Sequence, residues 1–260
     1  IERGIAFEVA PYEPDNPIDL EFVERILRRG RVRLVTCTMA SNVTGDVLPV
    51  AAVVELAHRY NALCLVDTAQ AAGMLDIHAE EIGADLLAFA GHKGLFGPPG
   101  VGGLYVAPGI DLRTLAEGGT GGDSGEHGMS HKVPSAYEVG THNLPAIAGL
   151  AAGVKWIQET GLKRIREHER KLVGQFMAGI SEIPGVKIYG TRNLDQRTGS
   201  VFKFGVGRDE YNCTKTDDKS QDVKVANKTR GKNTDRLACF ASGTVKKRIK
   251  ICGSPAVPNI

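Results

Sequence analysis

Residues 62–67 read Ala62-Leu63-Cys64-Leu65-Val66-Asp67, and this run decides the fold. Five consecutive apolar residues are too few for a helix with one buried face. They suit a short strand with neighbours over both faces, which has no need to alternate apolar and polar side chains. The run ends abruptly at a carboxylate, followed by Thr68-Ala69-Gln70. On its N-terminal side, residues 49–60 carry apolar groups at helical spacing, with Pro49 placed to open the helix. Before that comes Arg33-Leu34-Val35-Thr36-Cys37, a second strand, and before that residues 18–29, whose Leu20, Val23, Ile26 and Leu27 mark one helical face that stops at Gly30. On the C-terminal side, Leu86 to Ala90 forms another apolar run that ends at Gly91-His92-Lys93, and Gly103 to Val106 is a further strand.

Short apolar strands alternating with amphipathic helices predict an α/β fold with a mainly parallel sheet covered on both faces. In such sheets, chemistry collects beyond the carboxyl ends of the strands. The chain divides into a large unit over 1–150, the start of a smaller α+β unit over 151–207, and a segment 208–260 of different character. In the second unit, Pro145 to Glu182 is helical with a break at Thr160-Gly161, and Val186 to Tyr189 and Ser200 to Phe204 are strands. Residues 208–260 carry 12 Lys and Arg against 6 Asp and Glu, whereas residues 1–207 carry 20 against 24, so a basic tail follows an acidic body. That tail has few aromatic residues and little apolar periodicity, and it is expected to pack poorly. Its interleaved acidic residues argue against nucleic-acid binding.

Apolar residues make up 42% of the chain and charged residues 24%, near the averages for globular domains, and no apolar run has the length of a bilayer-spanning helix. Ile1-Glu2-Arg3-Gly4 lacks the pattern of a signal peptide. The five cysteines are odd in number, two of them fall in apolar strand-like runs, and no CxxC pair suggests zinc or a redox couple, so a reducing cytoplasm is expected. Cys37 and Cys64 fall in strands and read as small buried residues.

Three polar groups follow strand-like runs: Ser41-Asn42, Asp67 with Gln70, and His92-Lys93. On parallel neighbours they would meet at one sheet edge. A lysine, a carboxylate and amide side chains together suit a covalently held cofactor whose ring must stay protonated, as pyridoxal 5'-phosphate (PLP) requires.

Ser41-Asn42-Val43-Thr44-Gly45, Val66-Asp67-Thr68-Ala69-Gln70 and Gly91-His92-Lys93 with Gly97-Pro98, in that order and spacing, resemble the class V aminotransferase family, and cysteine desulfurases most closely. Gly118-Gly119-Thr120-Gly121 and Tyr137 to Asn143 extend the likeness, which runs to about Gly207. The resemblance implies a fold-type I PLP enzyme that takes sulfur from L-cysteine and leaves alanine. It implies Lys93 as the Schiff-base lysine and proton shuttle, Asp67 as partner of the pyridine nitrogen, and Gln70 at the phenolic oxygen. Asn42 would lie near the substrate carboxylate and the cofactor oxygen, and His92 would donate to the phosphate. Thr141 would reach the phosphate in the neighbouring subunit, so a homodimer is implied, together with a sulfur-acceptor protein.

There are departures. Ala90 stands where the family often has a phosphate-binding Ser or Thr. The family's phosphate loop and the residue stacked on the ring have no counterpart in this chain, which on the resemblance lacks about the first third of such an enzyme. No Arg-x-Gly-x-His-Cys-like stretch occurs in the tail, so the sulfur-accepting cysteine is unmatched. Transamination, selenocysteine cleavage and a non-catalytic truncated paralogue stay open beside the desulfurase reading.

Overall fold

A computed structural model describes residues 5–12, 17–119, 133–205 and 250–253. The elements in chain order are β1 (Ala6–Val9), α1 (Leu20–Leu27), β2 (Val32–Thr38), α2 (Val50–Arg59), β3 (Leu63–Asp67), α3 (Ala79–Ile82), β4 (Leu86–Ala90) and β5 (Gly102–Val106). They continue with α4 (Leu144–Thr160), α5 (Leu162–Ser181), β6 (Val186–Tyr189), β7 (Phe202–Gly205) and β8 (Lys250–Gly253).

Local sequence explains where the helices start and stop. The Asp19 carboxylate accepts the Phe22 amide at 2.9 Å and satisfies one of the free N–H groups that open α1. Three residues past the helix, Gly30 turns the chain at φ +71°, in the left-handed region open to a residue without Cβ. Asn143 caps α4 in the same way, accepting the Ala146 amide at 3.2 Å, with Pro145 in the first turn where no N–H is needed. Gly161, at φ +87°, separates α4 from α5 at the expected break.

The main sheet has the order β1-β8-β2-β3-β4-β5. The pairs β2–β3 and β3–β4 are parallel, whereas β1–β8, β8–β2 and β4–β5 are antiparallel. β1 to β4 therefore all run one way and only β8 and β5 run against them, which gives the mainly parallel α/β sheet of the sequence reading. The antiparallel pair β6–β7 forms a separate two-stranded sheet. β8 belongs to the segment expected to pack poorly, yet its backbone fills the place between β1 and β2. The rest of residues 208–260 lie outside the described residues, as do residues 120–132 of the glycine-rich loop.

The core lies between α1, α2 and one face of the sheet. Val35 pairs with Cys64 and Cys37 with Val66, and all four are buried together with Val23, Ile26, Leu27, Val53, Val54 and Ala57. Burying each Val or Leu of that set stabilises the fold by roughly 1.5–3 kcal/mol before chain entropy is counted. On the opposite face Leu34, Leu63 and Leu65 are only half-buried, so among the described residues α1 to α3 cover one side of β2 and β3 more fully than the other.

Candidate functional site

β2, β3 and β4 end together. Thr38 is in register with Asp67, and Asp67 with Ala88. The ladder continues past these ends, with the Met39 amide donating to the Asp67 carbonyl and the Thr68 amide to the Ala88 carbonyl, both at 2.8 Å. The Thr68 hydroxyl adds a bond to the same Ala88 carbonyl at 2.9 Å. Asp67 is thus fixed by backbone on both sides while its side chain is exposed. One carboxylate oxygen, Oδ1, accepts the Ala69 amide at 2.8 Å. Among the described residues nothing engages Oδ2, which leaves an acceptor at the sheet edge.

Lys93 sits in a tight loop after β4. The Gly97 amide donates to the Gly91 carbonyl at 2.8 Å and the Phe96 amide to the Lys93 carbonyl at 2.9 Å, while the Gly91 amide reaches the Val101 carbonyl at 2.9 Å. The half-buried Lys93 side chain has no ion pair or hydrogen bond among the described residues, so its amine is not committed to a structural carboxylate. The loop is pressed against α4. A Cβ on Gly97 would lie 2.9 Å from the Leu150 side chain, one on Gly149 2.8 Å from the Pro98 ring, and one on Gly153 3.0 Å from the Phe96 carbonyl carbon. Trp156 closes the contact edge-on to Phe96, with ring centroids 5.1 Å apart. Sequence reasoning overlooked this role of Gly149 and Gly153, although their four-residue spacing puts both on one helical face.

Gln70 is half-buried in the turn after β3, where the Ala71 and Ala72 amides both donate to the Thr68 carbonyl at 2.8 Å. The next residues bring this turn onto the lysine loop, since a Cβ on Gly94 would stand 2.5 Å from the Ala72 carbonyl. His92 is exposed beside Lys93. Asn42 is exposed on a turn closed by Ser41, whose hydroxyl accepts the Val43 and Thr44 amides at 3.2 and 3.1 Å. Asn42, Asp67, Gln70, His92 and Lys93 therefore follow three adjacent parallel strands. Thr141 lies elsewhere, on the segment before α4. There the Gly140 amide donates to the Gly119 carbonyl at 2.8 Å, and no hydrogen bond among the described residues joins Thr141 to the other five.

These groups supply an amine and a carboxylate oxygen without partners among the described residues, two side-chain amides and a ring nitrogen. That donor set fits a cofactor that bears an aldehyde, a basic ring nitrogen and acceptor oxygens. Ala90 supplies no hydroxyl to it. Cys37 and Cys64 stay apart from this chemistry: a hydrogen bond with Cys64, together with burial, pushes the Cys37 thiol well above its ordinary value and keeps it protonated. No helix among the described residues is long and apolar enough to cross a membrane.

A family model described as aminotransferase class-V matches residues 2–226. A probable cysteine desulfurase of Methanothermobacter thermautotrophicus is 33% identical over 229 residues, covering 86% of this chain and 56% of the relative. A cysteine desulfurase of Escherichia coli is 32% identical over 210 residues, covering 79% and 50%. Among solved structures, an apo cysteine desulfurase from Thermococcus onnurineus superposes with a TM-score of 0.61 at 33% identity, over 73% of this chain and 48% of that one. The chain thus spans about half the length of the curated relatives it matches.

Proposed function

Because the chain belongs to the aminotransferase class-V family, we propose that it carries the cofactor-binding part of a PLP-dependent enzyme of the cysteine desulfurase kind, with Lys93 as the cofactor lysine. The observation behind this reading is the placement, beyond the ends of adjacent parallel strands β4 and β3, of the Lys93 amine and the Asp67 Oδ2, neither of which has a partner among the described residues. PLP, when bound, supplies a sink for the negative charge that develops at a substrate Cα.

The residues divide the work as follows. Lys93 would hold the cofactor through its amine and would serve as the base for the proton at the substrate Cα. Asp67, whose Oδ1 accepts the Ala69 amide, would hold the ring nitrogen protonated through its carboxylate. Gln70 and Asn42 donate to the phenolic oxygen, Asn42 also orients the substrate carboxylate, and His92 donates to the phosphate. Ala90, in place of a hydroxyl residue, would offer the phosphate one hydrogen-bond donor fewer. L-cysteine is the proposed substrate and alanine the carbon product, with sulfur passed to an acceptor protein. Thr141, away from the other five, completes the phosphate site of a second subunit in a homodimer. A reducing cytoplasm is the compartment proposed from the cysteine pattern.

The test is a spectrophotometric titration of the purified chain with PLP. The band of lysine-linked cofactor is expected in the wild type and is lost in Lys93→Ala; its survival in that variant would sink the assignment. Product analysis with cysteine, selenocysteine and other amino acids then distinguishes desulfuration from the related reactions.

A further inference from the structure

Arg197 is only 1% exposed and is the bulkiest fully buried side chain among the described residues. It begins in the second unit and ends inside the first. Its Nη1 donates to the Thr191 carbonyl at 2.5 Å, and its Nη2 donates to the Thr44 carbonyl at 3.0 Å and the Ser200 carbonyl at 2.7 Å. Asp46, 4% exposed, lies beside it and accepts the Thr191 amide at 2.6 Å, the Thr44 hydroxyl at 2.6 Å and the Tyr12 hydroxyl at 2.9 Å. Burial lowers the Arg197 pKa and Asp46 opposes that shift, and a guanidinium so placed remains charged at neutral pH.

Backbone stitches the same seam. The Val47 amide donates to the Gln196 carbonyl at 2.9 Å and the Thr198 amide to the Gly45 carbonyl at 2.7 Å. Helix α5 holds the outer segment of the seam: Arg166 donates to the Arg197 carbonyl and pairs with Glu169 at 3.1 Å, and Glu169 accepts the Gly199 amide at 3.0 Å. The inner segment is Thr44 to Val47, which closes the turn that displays Asn42: the Ser41 amide donates to the Asp46 carbonyl at 2.8 Å, and the Gly45 amide to the Ser41 carbonyl at 3.1 Å. Gly45 has φ +80°, and a Cβ there would collide with the Ser200 carbonyl, so the seam leaves no room for a side chain at this position.

Packing alone does not require a cation here, because an apolar side chain of similar size would fill the volume without desolvating a charge. A forked donor is what can bind carbonyls from three separate segments at once. We infer that Arg197, through the carbonyls its fork binds, is a positioning residue for the Asn42 turn, coupling helix α5 and the second unit to the edge of the strand-end site. This rests on the proposed role of Asn42 at the cofactor, and it makes the second unit part of what sets that residue's geometry.

Two measurements separate this inference from the cofactor reading. In amide hydrogen exchange, which needs no cofactor, Arg197→Lys keeps the charge but loses the fork. It should speed exchange at Thr44 and Gly45 by about tenfold while Cys64 and Val66 in β3 keep their rates. Arg197→Gln serves if the Lys variant does not fold. Unchanged exchange at the turn, or an equal rise throughout β3, overturns the inference. In PLP titration, Arg197→Lys should weaken binding about five- to tenfold in the wild-type background and less than about twofold on Asn42→Ala, as expected when one residue acts through another. His58→Ala, at the opposite end of the strands, should leave the midpoint alone. Equal weakening on both backgrounds, or an equal loss with His58→Ala, overturns the positioning role. If exchange responds at the turn but the wild type takes up no PLP, the cofactor reading fails and the coupling of Arg197 to the turn stands.

Discussion

Gly73 and Gly94 touch backbone to backbone. A Cβ on Gly73 would collide with the Gly94 carbonyl, and one on Gly94 would come 2.5 Å from the Ala72 carbonyl and 3.0 Å from the Met74 side chain. Gly73 also has φ +79°, which disfavours any side chain there. This contact joins the turn after β3, which carries Gln70, to the loop after β4, which carries Lys93. The spacing of the two polar groups thus depends on two residues that have no chemistry of their own.

Gly94→Ala is therefore expected to push the two loops apart. Overpacking of this kind costs about 1–3 kcal/mol, readable as a lower urea midpoint. PLP uptake should fall more steeply than stability, because the lysine moves relative to Asp67. A variant with a lowered midpoint and unaltered PLP affinity would show that the contact serves the fold alone.

At the other end of the strands, Asp85 Oδ2 accepts the buried Cys64 amide at 2.7 Å and meets His58 Nε2 at 2.8 Å. Asp85→Ala strands a buried N–H, for which about 1–3 kcal/mol is typical. His58 is 43% exposed at its side chain, so His58→Ala should cost under about 1 kcal/mol. Chemical denaturation of both variants checks the order, and a larger loss for His58→Ala would reverse the assignment of Asp85 as the structural anchor. Neither change touches the strand ends.

The strands that carry Asp67 and Lys93 were legible because each is a continuous apolar run that stops at a polar residue, and β4 and β6 have the expected bounds, Leu86–Ala90 and Val186–Tyr189. β1 and β8 were not legible: Ala6 pairs with Gly253 across nearly the whole chain, and neither four-residue segment shows a periodicity of its own. The four-residue α3 is too short to display a helical face. The lysine, carboxylate and amides of the site could be picked out because each stands next to a local apolar pattern. Asp46 and Arg197 could not, since a buried charge is recognised by its partners, and these lie about 150 residues apart in sequence. What the residues alone conveyed was the set of polar side chains that follow the apolar strands. The supports that hold them, Gly94, Gly153 and Arg197, depend on contacts between distant segments.

The Cys37 thiol gives a last test, through pH. Its folded-state pKa is raised well above the ordinary value by its hydrogen bond with Cys64 and by burial. The native state therefore keeps this proton at pH values where the unfolded chain releases it, and the unfolded chain binds fewer protons. Stability from this group is fully present below the unfolded thiol pKa, about 8.5, and declines as pH rises above it. Urea denaturation at about pH 7.5 and pH 9.5, on either side of that value, should show the midpoint falling in the wild type and falling less in Cys37→Ala, which has no thiol to titrate. Iodoacetamide labelling followed by peptide mass analysis gives the kinetic counterpart, with the Cys37 and Cys64 peptides unmodified in the folded chain and modified after denaturation. Rapid labelling of Cys37 in the folded chain would mean that its sulfur reaches solvent, contrary to its 4% exposure.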